Sequence, residues 1–148
     1  MKYYIAYGSN LNVGQMGWRC PDAVPVGTAF IKDYTLRFRG SMTGSYLTIE
    51  PEEGSKVPVG IWKVSAEDER HLDRYEGFPN FYYKKDFILD VDNGREVKSM
   101  KCFAYIMTEG REEGTPSLMY MRTCLAGYKD FGFDQRFLRR AYEHTVKR

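Results

Sequence analysis

Between Lys2 and Thr108 the chain breaks into strand-length segments parted by turn-forming residues, and this succession constrains the fold more than any other feature. Lys2 to Tyr7 reads as a buried first strand. Val24 to Phe30 and Tyr34 to Phe38 read as two strands joined at Lys32-Asp33. In the second of them Leu36 and Phe38 alternate with Arg37 and Arg39, the period of a half-buried strand. Gly40 to Ser45 reads as a polar loop. Tyr46 to Glu50 reads as a short strand, stopped by Pro51 and a flexible stretch from Glu52 to Lys56. Val57 to Val64 is aliphatic on both faces, as in a central strand. Phe81 to Asp92 and Lys98 to Thr108 predict a hairpin about Asp92-Asn93-Gly94, a strong turn signal.

The predicted helices are peripheral. Asn12 caps a short one ending near Arg19, and Cys20 cannot extend it because a residue before proline avoids helical backbone. Ser65 and Asp68 form a capping box that opens a helix lasting to Glu76, where Gly77 supplies the left-handed ending residue. Pro116 opens a helix to about Lys129 with Leu118, Met121, Leu125 and Tyr128 along one stripe. Gly127 inside it predicts close packing, and Gly132 ends it. Asp134 caps a last helix that turns Phe137, Leu138 and Ala141 inward. The expectation is an α+β fold, mainly antiparallel β with peripheral helices, in a single domain over residues 1–148.

Bulk properties exclude several function classes. A net charge of +2 with only short basic pairs, Lys84-Lys85 and Arg139-Arg140, argues against nucleic acid as a partner. Three cysteines without a Cys-x-x-Cys spacing and two isolated histidines predict free thiols and no metal site. The absence of a long apolar run predicts no membrane, and a cytoplasmic location is the default. Twelve tyrosines in a chain 16% aromatic favour a pocket or barrel interior lined by rings with polar tips.

Two segments carry candidate chemistry. Tyr7-Gly8-Ser9-Asn10-Leu11 follows directly on the first strand, and such an abrupt turn is able to aim several backbone amides at one anionic oxygen. In His71-Leu72-Asp73-Arg74-Tyr75-Glu76-Gly77, Leu72 and Glu76 stand one helical turn apart. If Leu72 faces the core, Glu76 faces inward as well. Burial and the negative end of the helix dipole then both raise its pKa toward the range of a proton carrier. Gly77-Phe78-Pro79 turns the chain so that Phe78 walls the carboxylate. Asp73 and Asp86 are expected to pair at the surface with Arg74 or Lys85. Ser9 lacks the elbow sequence and the histidine base of a serine nucleophile. Tyr120 either lines a pocket or belongs to the core.

These segments, taken in order with Arg19-Cys20-Pro21, Tyr83-Lys84, Pro116-Ser117-Leu118-Met119-Tyr120 and Ala126-Gly127, resemble the γ-glutamylcyclotransferase-like family, with its AIG2-like or BtrG-like fold. The resemblance implies a small closed barrel, mostly antiparallel, with helices packed around it. It also implies cyclisation of a γ-glutamyl group to 5-oxoproline with release of an amine or amino acid, without metal or organic cofactor. By position, Glu76 corresponds to the family's acid/base. Tyr4, Ile5, Ala6, Tyr7, Gly8, Ser9 and Asn10 correspond to its substrate-lining segment, joined by Tyr83 and Tyr120. The implied partner is a small-molecule γ-glutamyl substrate, and a homodimer is compatible with the chain. Tyr83-Lys84 stands where the family commonly has Tyr-Arg, and Gly132-Phe133-Asp134 where it has Gly-Leu-Pro. A hydrolase or acyltransferase using the same cavity, and a non-catalytic binding module, are the rival readings.

Overall fold

The computed structural model describes residues 1–146, so the last two residues of the expected domain lie outside the described residues. Among the described residues, five strands close into a mixed barrel with four α-helices around it. The strands are β1 (Lys2–Ala6), β2 (Val24–Ser41), β3 (Gly44–Val64), β4 (Tyr82–Asp92) and β5 (Val97–Met107). They run round the barrel in the order β1-β3-β2-β4-β5. Closure is a parallel contact of β1 with β5 at Tyr4 and Phe103, whereas the other pairings are antiparallel. The helices are α1 (Val13–Arg19), α2 (Ala66–Glu76), α3 (Leu118–Phe131) and α4 (Arg136–Val146).

The segments expected as four strands form one long two-stranded ribbon. β2 and β3 pair from Val24 and Lys63 out to Ser41 and Gly44, which leaves only Met42-Thr43 as the turn. The boundaries expected at Lys32-Asp33 and at Pro51 are a bend within this ribbon. Lys32 pairs with Lys56 and Tyr34 with Pro51, so Glu52 to Ser55 bulge out opposite Asp33 alone. Asp33 takes φ of 62° there, and its carboxylate accepts from the Gly54 amide at 3.0 Å. Turn chemistry marked the place correctly, but pairing across the ribbon carries both strands through it. The Asp92-Asn93-Gly94 hairpin forms as expected, Asn93 Oδ1 accepting the amides of Arg95 and Glu96.

The core fills the barrel and the space beneath the helices, with Ile5, Ile31, Phe38, Leu47, Ile49, Val57, Val59 and Ile61 essentially fully buried. Side chains of this kind each contribute about 1.5–3 kcal/mol relative to exposure. Asn12 caps α1 by accepting the Gln15 amide at 3.0 Å. α3 begins at Leu118 with Ser117 as its cap, two residues later than the opening expected at Pro116, and Leu118 is 66% exposed while Cys124, Gly127 and Tyr128 face inward. Gly127 is needed for contact: a Cβ there would sit 2.7 Å from the Asn12 nitrogen and the Leu11 carbonyl carbon. The last strand-to-helix turn of the first motif is thus pressed directly against α3. Asp134 accepts the Arg136 amide at 2.9 Å at the start of α4, whose Leu138 and Ala141 are buried and whose Phe137 is half-buried.

Candidate active site

α2 is specified at both ends. Ser65 accepts the Asp68 amide at 3.1 Å, and Asp68 reaches back to the Ser65 amide at 3.2 Å, completing the capping box. Gly77 ends the helix with φ of 65° and ψ of 39°, a conformation that favours glycine. Leu72 is fully buried, and Glu76, one turn later, faces the same way. Glu76 lines a cavity of about 540 Å³. It is half-buried as a residue because one side opens on that cavity, while protein surrounds the carboxyl elsewhere. Loss of hydration pushes its pKa up to about 8, with the Arg19 guanidinium pulling in the opposite direction.

The first motif supplies the facing wall. β1 delivers Tyr4 to the cavity, and past Ala6 the chain turns through Tyr7 and Gly8 into a single 3-10 turn, Ser9–Leu11. Amides that open such a turn have no acceptor within it. Asn10 is buried. Its Nδ2 donates to the Tyr4 hydroxyl at 2.8 Å and makes a long contact of 3.5 Å to Glu76 Oε1, while its Oδ1 accepts from Arg19. Ser9 shares a 3.1 Å hydrogen bond with the Tyr75 hydroxyl. The histidines lie elsewhere: His71 meets the Arg19 carbonyl, and His144 meets Glu113. Ser9 therefore has no histidine base, as expected.

Of the residues expected to line a substrate site, the cavity brings together Tyr4, Tyr7, Gly8, Ser9, Asn10, Glu76 and Tyr120. It does not include Ile5 and Ala6, which are fully buried in the barrel core. Nor does it include Tyr83. Successive strand residues face opposite sides, so it is Tyr82 that points inward, 5% exposed, and Tyr83 turns away to donate to Glu109. Phe78 likewise leaves the carboxylate and packs against Tyr105; Phe81 supplies the aromatic wall instead. Asp73 pairs with Lys84 at 2.9 Å and accepts the Tyr105 hydroxyl at 2.6 Å, and Asp86 pairs with Lys101, so neither uses the partners expected.

Tyr46, Tyr75, Tyr82 and Tyr105 also line the cavity without having been singled out, so seven of the twelve tyrosines meet here. The tyrosine count was the available signal. Two of these phenols fix the Leu47 backbone: its amide donates to Tyr120 at 3.1 Å, and its carbonyl accepts from Tyr82 at 2.8 Å. Burial pushes the pKa values of Tyr4, Tyr7, Tyr82, Tyr105 and Tyr120 well above the usual phenol value, so these hydroxyls stay neutral. The cavity is consequently a hydroxyl-rich chamber holding one carboxyl of raised proton affinity. Such a group takes a proton readily and surrenders it near neutral pH.

Residues 4–122 match the family described as gamma-glutamyl cyclotransferase, AIG2-like. The gamma-glutamylcyclotransferase of Mus musculus is 30% identical over 142 residues, spanning 90% of this chain and 73% of that protein. The Homo sapiens protein of the same name is 30% identical over 137 residues, spanning 87% of this chain and 71% of its own length. A solved structure described as a gamma-glutamyl cyclotransferase superposes with a TM-score of 0.82 at 27% identity, covering 95% of this chain and 85% of that one. The fold is the same five-stranded barrel, and with most of its length matched, this chain belongs to the AIG2-like γ-glutamyl cyclotransferase family.

Proposed function

We propose that the protein converts a γ-glutamyl amine or γ-glutamyl amino acid into 5-oxoproline and the free amine, with Glu76 carrying the proton. The observation that supports this most directly is Glu76 itself, a carboxyl with a pKa pushed up to about 8 on the wall of the tyrosine-lined cavity. A volume of about 540 Å³ lies within the usual range for small-ligand sites, about 300–1,000 Å³. The γ-glutamyl carbonyl oxygen is directed to the Gly8-Ser9-Asn10 turn. Glu76, as carboxylate, removes a proton from the substrate α-amine, whose nitrogen attacks the γ-carbonyl carbon. Turn amides stabilise the developing oxyanion, a contribution of roughly 3–4 kcal/mol per well-placed donor. The γ-amide C–N bond then breaks as Glu76 returns the proton to the leaving nitrogen, so the carboxylate is regenerated and no other reactant is consumed. Ring closure is intramolecular, and a pocket that folds the chain of the substrate supplies much of the rate.

Product identity tests this reading. Incubation with a panel of γ-glutamyl amino acids and γ-glutamyl amines is expected to release 5-oxoproline from at least one donor. Free glutamate as the sole product would instead establish hydrolysis in the same cavity, and transfer of the γ-glutamyl group to an added amine would establish an acyltransferase.

A further inference from the structure

Asn10 has a single side-chain amide with two ends, and the site uses both. Nδ2 faces the Tyr4 hydroxyl and Glu76 Oε1; Oδ1 faces Arg19 Nη1. Turned end for end, the amide would set oxygen against carboxylate and NH₂ against guanidinium, leaving both contacts repulsive. Arginine has donors only, so its presence dictates which end faces Glu76. Nothing in the Asn10 backbone does this, since its carbonyl is engaged separately by Trp62 Nε1 at 3.1 Å.

Arg19 is itself held rigidly. It is the last residue of α1, and its second fork nitrogen donates to Gln15 Oε1, one turn back, at 3.2 Å. Its guanidinium lies 3.5 Å from the centre of the Tyr75 ring, and the Tyr75 hydroxyl meets Ser9. The His71 ring donates Nδ1–H to the Arg19 carbonyl at 3.0 Å, tying the end of α1 to α2. A lysine could carry the charge, but it has no planar fork to grip two acceptors and cover a ring together.

We propose that Arg19 is a positioning residue for Glu76, which orients the Asn10 amide so that a donor, and not an acceptor, confronts the carboxylate. The consequence for chemistry rests on Glu76 being the proton carrier; the orientation itself does not. The other titratable groups around the carboxyl are the neutral phenols of Tyr4 from β1, Tyr7 just past its end, Tyr82 from β4, Tyr105 from β5 and Tyr120 from α3, with Tyr46 of β3 and Tyr75 of α2 also on the cavity lining. Arg74 of α2 adds a cation at the cavity lining. Removing Arg19 withdraws both a nearby positive charge and the oriented donor. Each favours the ionised form, so Glu76 should titrate at higher pH and the acid limb of activity should move up with it.

The experiment is an NMR titration of the Glu76 side-chain carboxyl in the wild-type chain and in Arg19→Met and Arg19→Lys, run beside the pH profile of kcat/KM for 5-oxoproline formation. The expected midpoint rises by about one pH unit in Arg19→Met and by a smaller, measurable amount in Arg19→Lys. An unchanged midpoint in Arg19→Met overturns the proposal, whatever happens to turnover. A midpoint raised in Arg19→Met but equal to wild type in Arg19→Lys also overturns it, because charge alone would then account for the effect. Should Arg19→Met not fold, the lysine variant still decides, since its midpoint must differ from wild type. A midpoint that rises while the activity profile stays in place supports the positioning role and overturns Glu76 as proton carrier.

Discussion

Asp68 in the first turn of α2 and Glu76 in its last are both turned inward, and the protein treats the two carboxylates in opposite ways. Asp68 is fully buried and its oxygens are satisfied by the amides of Ser65 at 3.2 Å and Asp22 at 3.3 Å. It sits at the helix end whose free N–H groups favour negative charge. Glu76 sits at the end whose free carbonyls oppose negative charge, and the only hydrogen bond it accepts among the described residues is the 3.5 Å contact from Asn10. The same functional group thus serves structure where it is saturated with donors, and remains available for chemistry where donors are withheld. What separates the roles is the surroundings, not the residue type.

Asp68→Ala should give the largest stability effect in this comparison. It strips two amides of their acceptor and removes the capping box, a loss of about 3 kcal/mol that urea unfolding would register. Turnover of the folded fraction should stay near wild type; a collapse of kcat would show that the first turn also serves the reaction.

Glu76→Gln should behave oppositely and depend on pH. The folded pKa lies above the unfolded value, so protonation of Glu76 favours folding. That contribution is full below the unfolded pKa of 4.5 and is lost as pH rises towards about 8. The glutamine variant lacks this loss, so relative to wild type it should be more stable by about 2 kcal/mol at pH 9, with little difference at pH 4. Thermal melts at the two pH values would check this, and a pH-independent difference would mean that the carboxyl is not desolvated in the fold.

The smallest effects separate adjacent tyrosines. Tyr82→Phe loses the bond to the Leu47 carbonyl, an expected cost of about 1 kcal/mol, with a raised KM from a loosened cavity wall. Tyr83→Phe should leave kcat/KM within about twofold of wild type, because the side chain lies outside the cavity. A large loss in Tyr83→Phe would restore it to the site.

How much of this was legible in the sequence follows from the range of the interactions. The boundaries of α2, its capping box and its glycine ending are set within a few residues, and the sequence displays all three. Glu76 inherits its inward direction from Leu72 through helical spacing alone. By contrast, Tyr82 and Tyr83 exchange roles on a one-residue change of register, and register is decided by β4 pairing with β5 across the sheet. Tyr105 enters the cavity only because β5 closes against β1, a contact between segments far apart in the chain. The β2–β3 ribbon illustrates the same point: Asp33 and Gly54 announce a bend, but continuity through it depends on partners on the opposite strand. Arg19 could not be read as part of the site because its partner Asn10 is reached through the packing of α1 beside the turn.

Turnover and ligand binding by Glu76→Gln, measured on one preparation, address the central assignment. With the proton carrier gone and the shape kept, kcat for 5-oxoproline formation should fall by about 10²–10⁴-fold while 5-oxoproline still binds within a few fold of wild type. Turnover near the wild-type value, on a donor the wild-type protein cyclises, would contradict the assignment of Glu76.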